Sequence, residues 1–250
     1  MDVPARVIGG VRETRAVLII AHRGASRAAP ENSVEAFRLA DELGADGVEL
    51  DVRLATGGRL VVAHDPLPDD RAAVDGLPDL TTVLDACGER MLVNVEIKNE
   101  PVAGSPRDRV EFDLAVVAPT IEALHASPVD LRRLVISSFS WPTIDACRQL
   151  DPAIATAALC LDLDDGSIGR LARRGHLAVH PYEPLVTPEG VQRCHDAGLL
   201  VTTWTCNDPA RLRELAAMGV DGVCTDVPDL ALAALGRSAA AVSPRWARAG

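Results

Sequence analysis

Aromatic side chains are scarce in this chain: three Phe, three Trp and one Tyr among 250 residues. The core must then be built from Val, Leu, Ile and Ala. That suits parallel strands, which are covered on both faces and read as near-continuous aliphatic runs. An excess of cations is missing too. A formal charge of −11 excludes the basic stripe that phosphate-backbone binding needs, so no nucleic-acid partner is expected. An anionic small molecule would need a bound cation to invert the local field. No apolar run reaches the length of a membrane span. Met1-Asp2-Val3-Pro4-Ala5-Arg6 lacks the charged-then-apolar order of a signal peptide. No integral membrane segment and a cytoplasmic location are therefore expected. The six cysteines (Cys87, Cys147, Cys160, Cys194, Cys206, Cys224) form no CxxC and no tight spacing with His. That argues against a thiolate zinc site or a disulfide framework and for reduced, buried thiols.

What is present is an alternation. An apolar run from Val17 ends in His22, and Ser33 to Leu43 follows with helical periodicity. Asn32 and Glu35 give that helix a capping-box-like start, and Gly44 a stop. Gly47 to Val52 reads as the second strand and Arg59 to His64 as an extra short one. The rhythm continues with a helix at Leu80 to Cys87, a strand at Met91 to Lys98 and a helix at Val110 to His125. Strands follow at Leu134 to Phe139, Ala155 to Cys160, Leu177 to His180, Leu199 to Thr205 and Gly222 to Thr225. Helices lie between and after them, the last at Asp229 to Leu235. Apart from the extra strand this makes eight βα units with short connections, a (βα)8 TIM barrel rather than an open doubly wound sheet. No GxGxxG follows the first strand, so the dinucleotide fingerprint is absent. One domain spans 15–236, with 1–14 as an N-terminal extension and 237–250 as a C-terminal tail.

Barrel enzymes assemble their sites from the C-terminal ends of different strands. His22 and Arg23 end the first strand here, Glu49 and Asp51 lie on the second, His64 and Asp65 end the extra strand, and Glu96 and Lys98 end the third. Residues two apart on a strand face the same way, so Glu49 and Asp51 project together. They repel each other unless protonated or bridged by a cation. Three carboxylates without nearby thiols suit a hard ion such as Mg²⁺ or Ca²⁺; the same carboxylates could instead cap strands or pair with Arg and Lys. His22 and His64 at this face could act as general base and general acid. His180, ending the sixth strand, is a further pocket candidate. His176, at a strand beginning, belongs to the stability face, and His125 and His195, on helices, are expected to be solvated.

The ordered set is specific. His22-Arg23-Gly24-Ala25, Pro30-Glu31-Asn32-Ser33, Gly44 to Val52, Val61 to Asp65 and Val95-Glu96-Ile97-Lys98 resemble the glycerophosphodiester phosphodiesterase family. Ser137-Ser138-Phe139, Thr203-Trp204-Thr205 and Gly222 to Asp226 agree. The resemblance implies a (βα)8 fold and hydrolysis of glycerophosphodiesters to sn-glycerol 3-phosphate and an alcohol. It implies Glu49, Asp51 and Glu96 as ligands of a divalent metal, Mg²⁺ or Ca²⁺, and His22 and His64 as the acid/base pair. Arg23 and Lys98 would contact the phosphate, and Trp204 the glycerol end. Two departures stand out. Many members carry a longer capping insertion after the His-Asp motif, whereas Pro66 to Pro78 is short and acidic, which predicts a shallow mouth and broad tolerance for the alcohol. His180-Pro181-Tyr182 also stands where relatives often have Asn-Pro. The alternatives are a phospholipase-D-like enzyme acting on lysophospholipids and a non-catalytic phosphate-ligand-binding barrel. The paired histidines argue against the latter. Sugar isomerase or aldolase chemistry would want a catalytic Lys or Gly-rich phosphate loops on the last two strands, which are not evident.

Overall fold

The computed structural model describes residues 16–99, 101 and 112–237. Its strands are β1 (Leu18–His22), β2 (Gly47–Leu54), β3 (Leu60–Val62), β4 (Leu92–Ile97), β5 (Leu134–Ser138), β6 (Ala155–Cys160), β7 (Ala178–Pro181), β8 (Leu200–Thr203) and β9 (Gly222–Thr225). The helices are α1 (Val34–Glu42), α2 (Arg71–Asp75), α3 (Leu80–Ala86), α4 (Val117–Ala126), α5 (Trp141–Leu150), α6 (Asp165–Arg174), α7 (Pro188–Asp196), α8 (Pro209–Met218) and α9 (Pro228–Ala234). Eight strands are parallel in the order β1-β9-β8-β7-β6-β5-β4-β2, and β1 pairs with β2 to close the ring. β3 runs antiparallel against the end of β2. This is the TIM barrel that the alternation predicts.

The period of two decides what each strand buries. Ile20, Leu92, Val135, Ala157, Ala178 and Cys224, one from each of six strands, meet in a small central cluster. Their neighbours Ile19, Val48, Val93, Ile136, Val179 and Val223 turn outward under the helices, where most of the apolar core lies. The interior is narrow, and Gly47 shows how narrow. A Cβ there would lie 2.6 Å from the Leu92 carbonyl oxygen, so β2 enters the barrel on a glycine. All six cysteines are free and buried. Among the described residues, no helix is long and apolar enough to cross a membrane.

Three local differences from the sequence reading have physical causes. Ser33, not Asn32, caps α1, accepting from the Ala36 N–H. Asn32 stands in the left-handed region at φ 58°, a conformation asparagine tolerates, and its amide is diverted to Asp51. Helix α4 begins at Val117 rather than Val110. Pro119 lacks an N–H and would clash with the carbonyl four residues earlier in a longer helix; positions 110 and 111 lie outside the described residues. The Pro66 to Pro78 segment carries the short helix α2 and is tied down from β3. Arg59 donates to Asp79 (2.5 Å), the Val74 carbonyl (3.0 Å) and the Leu77 carbonyl (2.6 Å). The 1–14 extension and residues 238–250 lie outside the described residues. Arg237 is described, and its guanidinium holds Asp46 and the Val17 carbonyl.

Candidate active site

Glu49, Asp51 and Glu96 face the barrel interior near its C-terminal end, where β2 and β4 pair Asp51 with Glu96. A ligand oxygen from each lies within 4.8 Å of the others, and all three are buried. Asp51 is the best satisfied: Asn32 Nδ2 donates to Oδ2 at 2.9 Å, Arg23 Nε approaches the same oxygen at 3.3 Å, and Lys98 Nζ lies 3.2 Å from Oδ1. Glu49 accepts only the Arg23 backbone N–H, at 3.0 Å on Oε2. Its Oε1 is buried with no partner among the described residues. Glu96 Oε1 is paired instead with Lys98 Nζ at 2.5 Å.

Buried unsatisfied charge is expensive, and the titration of the cluster shows it. Burial pushes the Glu49 carboxyl well above the usual range, and Asp51 and Glu96 push it further. Burial also raises Glu96, although Lys98 pulls the other way. Buried carboxylates that repel one another, one with an unpartnered oxygen, suit a hard divalent cation, which would satisfy them together. Lys98 is the only lysine in the sequence; every other basic side chain is arginine. It is mostly buried, and Glu96 and Asp51 outweigh its burial and raise its pKa. Arg23 stands at φ 57°, with its side chain between Asp51 and Glu31. Gly24 follows at φ 80°, where a Cβ would press on the Ala36 backbone at 2.6 Å. The tight turn after His22 therefore requires a glycine.

The two histidines share an arrangement. His22 Nδ1 lies 2.7 Å from Asp226 Oδ1, and His64 Nδ1 lies 2.9 Å from Asp65 Oδ1. His22, Asn207 and Ser26 hold the Asp226 carboxyl down to about 2. Asp226 is therefore ionised at neutral pH and only accepts. The proton sits on His22 Nδ1, leaving Nε2 as the basic nitrogen. The His64 carbonyl is gripped by Arg53 Nε and Nη2 at 3.1 and 2.6 Å. His64 also lies close enough to Glu96 to act on its charge.

An aromatic wall stands across the mouth. Trp204 packs edge-on against Phe139, with centroids 5.5 Å apart, and tilted against Tyr182 at 5.2 Å. Lys98 Nζ lies 5.9 Å from the Phe139 centroid, so this wall adjoins the charged cluster. Trp204 Nε1 donates to the His180 carbonyl at 2.8 Å. The buried His180 imidazole is pushed down to about 4 by burial alone, so it is neutral at pH 7. A cavity of about 280 Å³ opens beside His64, lined in part by Glu31, Asn32, Leu77 and Pro78. Another of about 380 Å³ lies on the flank between α3 and α4 and touches none of these groups, so it has no bearing on the site.

The structure thus brings Glu49, Asp51, Glu96, Arg23 and Lys98 into one cluster, with His22, His64 and Trp204 at the same end. Asp226, Asn207 and Ser26 at His22, Arg53 behind His64 and the amide of Asn32 on Asp51 join the site only in the structure. The lone lysine was a signal within reach of composition. His176 is buried between Thr156 and Asp145, as its place at a strand beginning suggests. His195, expected to be solvated, instead pairs with Asp221 at 2.8 Å and is largely covered.

The chain matches the glycerophosphoryl diester phosphodiesterase family model over residues 22–77 and 66–230. It is 48% identical over 247 residues to the probable glycerophosphodiester phosphodiesterase 1 of Mycobacterium tuberculosis, covering 84% of this chain and 89% of that protein. A glycerophosphodiester phosphodiesterase of Caldanaerobacter subterraneus subsp. tengcongensis is 29% identical over 242 residues, with 85% and 95% covered. Among solved structures, an Oleispira antarctica phosphodiesterase in complex with the product sn-glycerol-3-phosphate superposes with a TM-score of 0.77. It is 24% identical, covering 88% of this chain and 96% of that one, and shows the shared fold.

Proposed function

This chain belongs to the glycerophosphoryl diester phosphodiesterase family and is a phosphoric diester hydrolase; from that premise we propose that it hydrolyses glycerophosphodiesters to sn-glycerol 3-phosphate and an alcohol. The observation that carries this reading is the buried triad Glu49, Asp51 and Glu96, with Glu49 Oε1 lacking a partner among the described residues and two cations beside the cluster. These residues fit a divalent ion, Mg²⁺ or Ca²⁺, as its ligands. When bound, such an ion supplies positive charge that offsets the phosphodiester and stabilises the charge that grows in displacement.

The chain's own groups do the rest. Arg23 and Lys98 face the cluster and would hold the phosphate oxygens, favouring the more highly charged transition state. His22 and His64 each turn Nδ1 to a carboxylate and keep Nε2 for proton transfer. One takes the proton from the attacking oxygen, the other gives a proton to the departing alkoxide, and the P–O bond to the alcohol breaks as the new one forms. Trp204 would lie along the glycerol end, with Phe139 and Tyr182 packed against its ring. A lysophospholipid substrate is the second reading, favoured by the exposure of Phe139, Leu161, Tyr182 and Leu185 after β5, β6 and β7.

The test is release of glycerol 3-phosphate from glycerophosphocholine, and of choline from lysophosphatidylcholine, by metal-stripped protein, before and after adding Mg²⁺ or Ca²⁺. Restoration by metal of turnover on glycerophosphocholine is the expected result. Equal turnover in the stripped and reloaded protein would overturn the metal-dependent reading. Choline release from the lysolipid alone would replace the substrate.

A further inference from the structure

One buried titratable side chain has no part in that mechanism. His180 lies on β7, and Ala178, two residues earlier, belongs to the small cluster at the barrel centre. Residues two apart on a strand face the same way, so the His180 imidazole also points inward, one layer nearer the mouth. We infer that His180 receives the terminal hydroxyl of the bound glycerol, the one farthest from phosphorus, and so acts as a specificity-determining residue. The inference rests on the glycerophosphodiester reading and names a further residue within it.

His180 is only 6% exposed, and its ring is neutral at pH 7. A neutral imidazole carries one donor and one acceptor nitrogen. Trp204 Nε1 bonds the His180 carbonyl at 2.8 Å, whereas the imidazole makes no hydrogen bond among the described residues. Leu159, beside it in register on β6, is apolar and offers none. Polar groups buried without partners are costly, so this ring is fitted for a partner from outside the chain.

Placement around the barrel says where that partner comes from. From β7 the ring runs through β8, β9 and β1 to β2 one way, and through β6, β5 and β4 to β2 the other. β7 is thus diametrically opposite β2, and His180 faces the side of Glu49 and Asp51 from the far wall. Arg23 follows β1, Glu96 lies on β4 and Lys98 follows it, so the groups read as holding metal and phosphate share the β1, β2 and β4 side. Burial alone holds the His180 ring down to about 4, which sets it apart from that charged cluster. With the phosphate anchored among the charges, the hydroxyl farthest from phosphorus is the one that reaches across to β7.

Chemistry then selects the group. A hydroxyl donates and accepts, as the neutral imidazole does. An ammonium could use only the acceptor nitrogen, and a carboxylate only the donor. An apolar group would leave both unpaired. Trp204 completes the wall: it packs against the central cluster, and its bond to the His180 carbonyl ties the indole to β7. A glycerol lying along that indole presents its far end to His180. His180-Pro181 stands where relatives often have Asn-Pro, and the imidazole keeps the donor and acceptor of an amide on a longer side chain.

The experiment compares kcat/KM for glycerophosphocholine with that for its analogue lacking only the terminal hydroxyl, propane-1,2-diol phosphocholine esterified at the primary position. Choline release is followed with metal present. The wild type should favour glycerophosphocholine by about 10- to 100-fold, the scale of one lost hydrogen bond that leaves a buried group unpaired. His180→Leu should bring that ratio within about threefold, mainly through loss on glycerophosphocholine, while thermal stability holds or rises because a buried polar group is removed. A ratio near one in the wild type, or a ratio unchanged by His180→Leu, would overturn the inference. If His180→Leu does not fold, calorimetric binding to the wild type decides. Affinity for sn-glycerol 3-phosphate should exceed that for propane-1,2-diol 1-phosphate by about the same 10- to 100-fold, and equal affinities would overturn the inference. Turnover of neither phosphodiester would instead overturn the underlying reading.

Discussion

Asp46 and Glu49 are three residues apart on one stretch of chain, both buried, and they face opposite fates. At the N-terminal end of the barrel, Asp46 accepts the Ile19 N–H at 2.7 Å and two Arg237 nitrogens at 2.8 and 2.6 Å. At the C-terminal end, Glu49 has one bonded oxygen and one with no partner among the described residues. The same device recurs where β9 begins. Asp221 accepts the Val201 N–H and a bond from His195, so an Asp-Gly at a strand start ties that strand to its neighbour. Both ends contain His–Asp pairs and buried carboxylates. What separates them is satisfaction: Asp46 and Asp221 are held by several donors at the closed end, whereas at the open end Glu49 Oε1 has no partner among the described residues.

That contrast breaks first if carboxylates at the two ends respond alike to neutralisation. Glu49→Gln should cut turnover by about a thousandfold or more, as expected for loss of a group that helps stabilise transition-state charge. Thermal stability should hold or rise, because one of three mutually repelling groups is removed. His22→Ala and His64→Ala, each confirmed as folded, should lose about 10²- to 10⁴-fold in turnover. Near-normal rates in either would remove that histidine from the mechanism. Lys98→Arg is the next largest, about a hundredfold loss, an estimate from the poor interchange of a compact ammonium and a planar guanidinium in a tight site. Steady-state kinetics on glycerophosphocholine would read all of these.

Much of this division was legible before any coordinates. The aliphatic runs gave the eight strands because parallel barrel strands are covered on both faces. Polar residues at strand ends stood out against those runs, which is why Glu49, Asp51, His64 and Glu96 were visible. What stayed hidden depends on distance along the chain or on local conformation. His22 and Asp226 are 204 positions apart, and no pattern in one sequence joins them. Asn32 looked like a helix cap because its left-handed backbone, which swings the amide toward Asp51, has no signature beyond its residue type. The lone Lys98 is readable from the sequence as a simple count.

The closed end should respond in stability rather than rate. Asp46→Asn leaves Arg237 without its charged partner and should cost about 2 to 4 kcal/mol in denaturant unfolding, near the lower part of the range for breaking a buried pair. Turnover per folded molecule should be unchanged. A smaller effect concerns His180, which burial holds down to about 4. The unfolded chain takes up a proton near pH 6.5 that the folded chain refuses, so stability declines as pH falls from about 6.5 toward 4. His180→Gln should flatten that part of the profile by on the order of 3 kcal/mol at its acidic limit. An unchanged profile would show that the ring is hydrated rather than buried.

The most direct measurement is calorimetric titration of metal-stripped protein with Mg²⁺ and Ca²⁺, in the wild type and in Glu49→Gln and Glu96→Gln. The account predicts one saturable ion per chain, with affinity sharply lost in both variants while both remain folded. No saturable binding, or binding unchanged by the two substitutions, would contradict the claim that the open end of the barrel keeps its charge for a metal.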